Sequence, residues 1–480
     1  MARLTNENRS RPRLVLLLAL GAAGSMLAGC SSFAPPLSEA EVAGFTMRLS
    51  DRLAEESPPL AGKLTVEAAV QRALRFNHSI VARALEAEWA QARVRVEAGG
   101  MLPDILADVE RSRRNKPQLS RSTHSDRYSG SSDLATLSSS IALSWSLLDF
   151  GLSYVRARQA DDEAGRRWED VGIVAARVIE DTRLSYWQSV ALHTLLPRLA
   201  RLDVEVGKAM GLSRRALADS LLDPRDSIAF QRDLLNLRRE INDLFSLVAG
   251  ADHRLMALIA APPGTKLELD HRRSTTGLGL PHRSAQDDVM LALRQRPEIR
   301  QHMYDMRITR AEVDAAVLRV LPGLSLGETF NTDSTSFLLS NNWVSWSARL
   351  AANLIELVRL PATLDSIEAQ QAVDRANALA TAATIAMQVH VARARVGVEL
   401  RAYEDAQEFA QAQKGLLRQT EGAFKAGRIG EQALALDKAS ALLAEIRAVL
   451  AFGDLHAALA AYEVSLGEPA TALGAMAALQ

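Results

Sequence analysis

From Val70 to Ile105 apolar residues recur with the period of an amphipathic helix, and the pattern stops at Leu102-Pro103. Proline removes a backbone donor and clashes with the preceding turn, so the helix is predicted to end there. The pattern returns over Val289–Leu324 at a constant offset of 219 in the numbering, where nine of 36 aligned positions are identical without a gap. Among them are Ala73/Ala292, Leu74/Leu293, Ile80/Ile299 and Leu102-Pro103/Leu321-Pro322. The chain is therefore read as an internal duplication.

After each Leu-Pro pair the apolar period shortens to two. Ile105, Ala107 and Val109 alternate with Leu106, Asp108 and Glu110; Leu324, Leu326 and Phe330 alternate with Ser325, Gly327 and Thr329, with Glu328 breaking the rule. A polar loop follows each run, Arg111–Thr136 rich in Ser and Arg, and Asn331–Asn342. A second alternating run comes next. Leu137, Ile141, Leu143, Trp145 and Leu147 oppose Ser138, Ser140, Ser144 and Ser146; Trp346, Ala348, Leu350, Ala352 and Leu354 oppose Ser345, Ser347, Arg349 and Asn353. Runs of about ten residues, apolar on one side and small-polar on the other, are the pattern of barrel strands in lipid. Trp145, Trp343 and Trp346 suit interfacial girdles.

Helical periodicity then resumes, from Tyr154 to about Val206 and from Thr363 to about Lys425, and a second helix returns over about Asp226–Ala260 and Glu431–Leu466. The predicted layout is a first repeat over 63–261, with a β-hairpin at 103–149 and a helical tip near 218–224. A Pro/Gly-rich linker at 262–283 carries a short extended candidate at Lys266–Asp270. The second repeat spans 284–467, with a hairpin at 322–357 and a tip near 427–430, and a tail at 468–480 closes the chain. Four strands are too few to close a barrel with an interior. Lipid cannot satisfy open strand edges, so several copies must complete the wall.

Composition adds limits. The 480 residues are 48% hydrophobic and 24% charged with a net charge of −1, which is globular and leaves no basic footprint for nucleic acid. No run has the roughly 18 to 20 apolar residues of a transmembrane helix. Arg3, Arg9, Arg11 and Arg13 precede the apolar run Leu14–Leu20, so residues 1–29 are read as a secretory signal. It ends in Leu27-Ala28-Gly29-Cys30, which resembles a bacterial lipobox. Cys30 is also the chain's only cysteine, so no disulfide framework exists. The expected mature chain starts at a lipidated Cys30, and residues 30–62 form a tail with Pro35-Pro36 and Pro58-Pro59 at its ends and room for one helix between them. Ser31 after the cysteine favours the outer membrane.

Helix, strand hairpin, very long helix, turn and returning helix, performed twice, resemble the TolC-like outer-membrane factor family, and the lipobox resembles its lipoprotein (NodT-like) branch. The resemblance covers about Lys63–Gly467 and rests on the layout, on Ser144-Trp145-Ser146-Leu147-Leu148-Asp149-Phe150-Gly151, and on Phe424-Lys425-Ala426-Gly427-Arg428-Ile429-Gly430. It implies a mainly α protein with a small membrane β part: an α-barrel continued by a transmembrane β-barrel, four strands per chain, completed in a homotrimer. It implies a periplasmic adaptor (membrane fusion) protein and an inner-membrane transporter, of the resistance-nodulation-division type, as partners. The helical tips would face the adaptor: Ala218, Asp219, Ser220 and Leu221 in the first repeat, and Gly427, Arg428, Ile429 and Gly430 in the second. The first tip departs from the pattern, lacking a glycine and carrying Asp223-Pro224. Phe424, Glu431 and Asp437 stand where the family places its gate, Asp437 one residue later than the usual spacing.

The expected function is passage of small toxic compounds, without cofactor or metal and without enzymatic activity. The nine histidines are scattered and no phosphate-loop ending follows Lys425–Gly430. The acidic pairs Asp161-Asp162 and Asp287-Asp288 read as solvated charge on helices. Two alternatives remain, a periplasmic coiled-coil scaffolding lipoprotein and a duct for secreted polypeptide; the first leaves the two period-2 hairpins without a purpose.

Overall fold

The structure is a computed structural model that describes residues 36–60, 62–121, 128–218, 223–262, 264–270, 279 and 282–467. The signal segment, Cys30, Asp219, Ser220, Leu221 and the tail at 468–480 lie outside the described residues. Two compact units divide at Pro58. The smaller contains α1 (Glu39–Glu55), started by a complete capping box in which Ser38 and Glu41 satisfy each other's backbone N–H groups.

The larger unit begins with α2 (Val66–Phe76) and α3 (His78–Gly99), separated by Asn77, whose side chain caps α3 and donates to the Leu258 carbonyl. Strands β1 (Asp104–Arg113) and β4 (Ala135–Ser146) follow, with a small ribbon of β2 (Gln118–Arg121) and β3 (Tyr128–Ser132) between them. That ribbon replaces part of the expected loop. Next come α4 (Leu147–Ala218), α5 (Pro224–Val248) and α6 (Ala251–Leu258). The second repeat contains α7 (Ala285–Gln295), α8 (Pro297–Val320), β5 (Gly323–Asp333), β6 (Asn342–Ala351), α9 (Leu354–Lys425) and α10 (Glu431–Leu466).

The duplication governs element boundaries. Val66, His78 and Asp104 open α2, α3 and β1; Ala285, Pro297 and Gly323 open α7, α8 and β5 at the same constant offset that the sequence repeat shows. Beyond the strands the offset is smaller but again constant, at 207: Leu147 to Leu354, Ala218 to Lys425, Pro224 to Glu431. The first copy is therefore the longer one, and its surplus falls within the strand hairpin. Both long helices have 72 residues, about 108 Å at 1.5 Å per residue.

Several boundaries differ from the sequence expectation: α4 spans Leu147–Ala218 rather than Tyr154 to about Val206, and the single helix expected before each Leu-Pro pair is divided, at Asn77 and at Arg296. Helix α9 starts at Leu354, capped by Asn353, and runs through Pro361 rather than starting after it. At the second turn a proline forfeits one hydrogen bond, which the remaining turns of a long helix outweigh. The first returning helix is broken at Ala249–Gly250, where Gly250 has φ +78, whereas α10 runs unbroken. The extended candidate near Lys266 supplies a single parallel bridge, Leu269 with Leu64.

Helix α4 packs on α3, α5, α6, α8 and α10, while α9 packs on α7, α8 and α10. The main core joins α4 and α10 through Tyr186, Trp187, Leu455 and Phe452, with Leu255, Ile259 and Leu269 beneath. Trp187 and Phe452 meet edge to face at 4.7 Å, and Trp187 stacks on His456 at 5.1 Å. The Tyr186 hydroxyl lies 2.9 Å from the carbonyls of Leu64 and Asp270, fixing the linker to α4. Toward the tips Leu199, Leu202, Val206 and Met210 interdigitate with Phe230, Leu234, Leu237 and Ile241, the three-and-four spacing of a coiled coil.

Across the seam between repeats, α4 meets α8 through small residues and charge pairs. Gly165 admits the Tyr304 ring, which a Cβ there would meet at 2.6 Å. Arg307 pairs with buried Asp162, Arg166 with Asp305 at 3.5 Å and Arg300 with Glu169 at 2.8 Å. Asp288 is fully buried, paired with Arg393 and accepting from the Tyr462 hydroxyl at 2.7 Å. Asp162 and Asp288 are thus not the solvated charges the sequence suggested, because each has an arginine from another helix. Removing either arginine leaves a buried carboxylate without its charge partner, a larger loss than breaking a surface pair.

Candidate functional site

The four long strands form one antiparallel sheet in the order β1-β4-β5-β6, leaving β1 and β6 as open edges. Register sorts the side chains. Ile105, Leu143, Glu328 and Trp346 align across the strands, as do Ala107, Ile141, Phe330 and Val344, so these two rows are apolar apart from Glu328; the same face continues through Val109, Ser139, Thr332 and Asn342 and ends at Arg111 and Arg113. The other carries Asp108, Ser140, Asn331 and Trp343 in one row, and Ser144, Gly327 and Ser347 in another. In β5 Leu324, Leu326, Glu328 and Phe330 are exposed and Ser325, Gly327 and Thr329 half-buried. Trp145 lies at the helix end of the apolar face, bonded to the Met101 carbonyl and edge-on to Phe150. Trp343 is on the polar face, which removes it from any outward girdle.

At the opposite end of the molecule's long helices, the turn from α9 to α10 is fully specified. Gly427 has φ +68, a left-handed conformation that strains residues with a Cβ. Arg428 N–H donates to the Ala423 carbonyl and Gly427 N–H to that of Phe424, both at 2.9 Å, closing a Schellman motif. Gly430 precedes α10 in extended conformation, and Glu431 starts it with a carboxylate where the helix dipole favours one. Gly427, Arg428, Gly430, Glu431 and Phe424 are exposed; Ile429 is half-buried. In the first tip Ala218 ends α4, and Asp223 caps α5 by accepting from Arg225 N–H at 2.7 Å with Pro224 as first helical residue. The Asp-Pro pair is therefore a helix start, and the turn itself lies at residues outside the described set. The offset that relates the two helical hairpins aligns Ser220 with Gly427.

Asp437, one of the three gate candidates, is half-buried and accepts a hydrogen bond from the Thr420 hydroxyl of α9. It braces the two helices of the hairpin about two turns above the tip. Its counterpart by offset is Phe230, packed in the core, while Ser213, counterpart of Thr420, bonds Gln231 and the Ser227 carbonyl. Phe424 and Glu431 do not join this bond. Sequence reading missed Thr420, which lies on the other helix of the pair and comes near Asp437 only once the hairpin closes.

Near the middle of the helices, burial pushes the His456 imidazole down to about 4, with the Arg183 guanidinium adding to the effect. Burial also raises the carboxyls of Glu180 and Asp454, the latter further by Glu399. Among the described residues no His, Cys, Asp and Glu cluster is arranged to hold a metal, and no helix is long and apolar enough to cross a membrane.

Sequence comparison finds no matching family profile and no matching curated protein. Solved structures do match. A membrane protein from Pseudomonas aeruginosa has 17% identity and a TM-score of 0.65 over 84% of this chain and 90% of its own. The MtrE outer-membrane channel of Neisseria gonorrhoeae, in its open state, has 18% identity and a TM-score of 0.64, over 84% and 88%. The CmeC outer-membrane channel of Campylobacter jejuni has 15% identity and a TM-score of 0.64, over 84% and 85%. The chain therefore has the fold of the TolC-like outer-membrane channels, a helical barrel element joined to a small β part.

Proposed function

We propose that this protein is the outer-membrane subunit of an efflux system, and that three copies close a duct of twelve strands continued by helices. The carrying observation is the four-stranded sheet, with apolar rows on one face, small-polar rows on the other and both edges open. An open sheet in hydrocarbon leaves unsatisfied backbone groups that each cost several kcal/mol. Successive strands are antiparallel, so β6 runs opposite to β1 and the two edges of neighbouring copies match in direction. Helix α9 supports the same assembly with exposed Leu379, Met387, Val391, Val398, Phe409 and Leu416 along its length, an apolar stripe that a monomer would leave in water.

In this reading the apolar face meets lipid, the polar face lines water, and the α4–α5 and α9–α10 tips meet a periplasmic adaptor that connects to an inner-membrane pump. Phe424, Glu431 and Asp437 serve the entrance, and a lipid on Cys30 adds an anchor. The duct conducts and carries out no chemistry. The test is reconstitution: the mature protein should run as a heat-modifiable trimer in outer-membrane fractions and give stable conductance steps in planar bilayers. A monomer soluble without detergent, with no conductance, overturns the proposal. Loss of the gene should raise sensitivity to small toxic compounds, and unaltered sensitivity together with a lost secreted polypeptide would reassign the cargo.

A further inference from the structure

We propose that the end of the sheet remote from the helices carries a girdle for phosphorylated lipid headgroups, with Arg111 and Arg113 of β1 at its centre. The inference rests on the membrane-spanning reading above. Register pairs Arg111 with Leu137 and Arg113 with Ala135, which puts both arginines on the face that carries Ile105, Ala107 and Val109. Ile105 and Val109 are 70% and 71% exposed, and Arg111 and Arg113 are exposed in turn. Neither has a carboxylate partner among the described residues. Arg114 and Lys116 follow, both exposed, with Arg114 donating to Gln118.

Charge on this strand is sorted by face. Asp104, Asp108 and Glu110 share the face of Ser138, Ser140 and Ser144 of β4, while Arg111 and Arg113 lie on the opposite face. A merely solvated charge run has no reason to segregate its signs this way. Residues two apart on a strand are roughly 7 Å apart, so Arg111 stands about 7 Å beyond Val109, the last apolar residue of the outward row. There hydrocarbon gives way to headgroups. Guanidinium is weakly hydrated and binds phosphate through two parallel N–H groups, which suits a headgroup partner better than a lysine would. The partner is a lipid rather than a free anion, because Val109 below the arginines and Leu137 beside Arg111 offer its acyl chains a surface. An amphiphile with more than one phosphate, such as a bisphosphorylated glycolipid, can engage both arginines together.

The experiment is native mass spectrometry of the full-length trimer in detergent with added bisphosphoryl lipid A, against dephosphorylated lipid A and inorganic phosphate. Wild type should retain the phosphorylated lipid, and R111Q/R113Q should retain it at least about tenfold more weakly, the loss expected for two charge-assisted contacts. R111K/R113K should fall between. Dephosphorylated lipid should bind no better than the glutamine variant, and excess inorganic phosphate should not displace the lipid. Equal retention by wild type and R111Q/R113Q overturns the girdle, as does equal retention of both lipids or displacement by inorganic phosphate. Failure of wild type to form a trimer removes the duct reading itself; an intact trimer indifferent to the lipid's phosphates removes the girdle alone.

Discussion

Glu328 stands on the outward face of the sheet with Leu143 and Trp346 as its register partners, in the middle of an eleven-residue strand. A carboxylate on the lipid face is destabilising near the bilayer midplane, less so than Lys or Arg there. Glu328→Leu should therefore stabilise the membrane-inserted trimer by about 1 kcal/mol per chain, read as a higher dissociation temperature on denaturing gels. An unchanged or lower temperature would show that the carboxylate has a partner in the assembly. His456 acts through pH. Its folded pKa, about 4, lies below the ordinary value of 6.5, so the unfolded chain binds the extra proton between these values. The stability it contributes is complete above pH 6.5 and is lost as pH falls toward 4, at a slope of at most about 1.4 kcal/mol per pH unit. Thermal unfolding at pH 7 and pH 5 should show that difference in wild type, and His456→Phe should flatten it.

At the scale of elements, the α9–α10 hairpin joins a backbone turn to a side-chain brace. Asp437→Asn removes charge and keeps an acceptor for Thr420, whereas Thr420→Val removes the brace and keeps the charge. If Asp437 serves the entrance electrostatically, D437N should alter cation block or ion selectivity in planar bilayers while T420V alters them little. Identical behaviour of the two variants would make the residue a brace alone. Gly427→Val should loosen the tip by about 1 to 2 kcal/mol, the cost of a left-handed residue with a Cβ, measured as faster amide exchange over residues 423–430. Much of this architecture was legible in the sequence because it is periodic: the strands through their alternation, the helices through their period, the repeat through its gapless register. What local pattern does not encode was missed. The β2–β3 ribbon has no apolar alternation, Pro361 reads as a residue before the helix rather than inside it, and the Gly250 break resembles any helical glycine. Partnerships such as Thr420 with Asp437 and Arg307 with Asp162 join residues distant in sequence, so the carboxylates gave no sign of their burial.

For the whole molecule, the open sheet edges and the α9 stripe make one demand, a neighbouring copy. Met387→Glu with Val391→Glu puts two charges on adjacent turns of that stripe, at 58% and 60% exposed positions. The single chain should tolerate them, since exposed positions cost little to change. The trimer should not, and heat-modifiable material in outer-membrane fractions should drop severalfold while helical content stays. Retention of full trimer would mean that α9 meets another partner.

The equal length of α4 and α9 has a mechanical corollary. The repeats differ in length within the strand hairpin but not between the strands and the tips, so the two long helices of a chain have the same number of turns. In the proposed trimer such matching yields a level rim, on which the proposed adaptor can seat evenly. Shortening a single limb by a heptad would leave the rim notched, while shortening both would merely lower it.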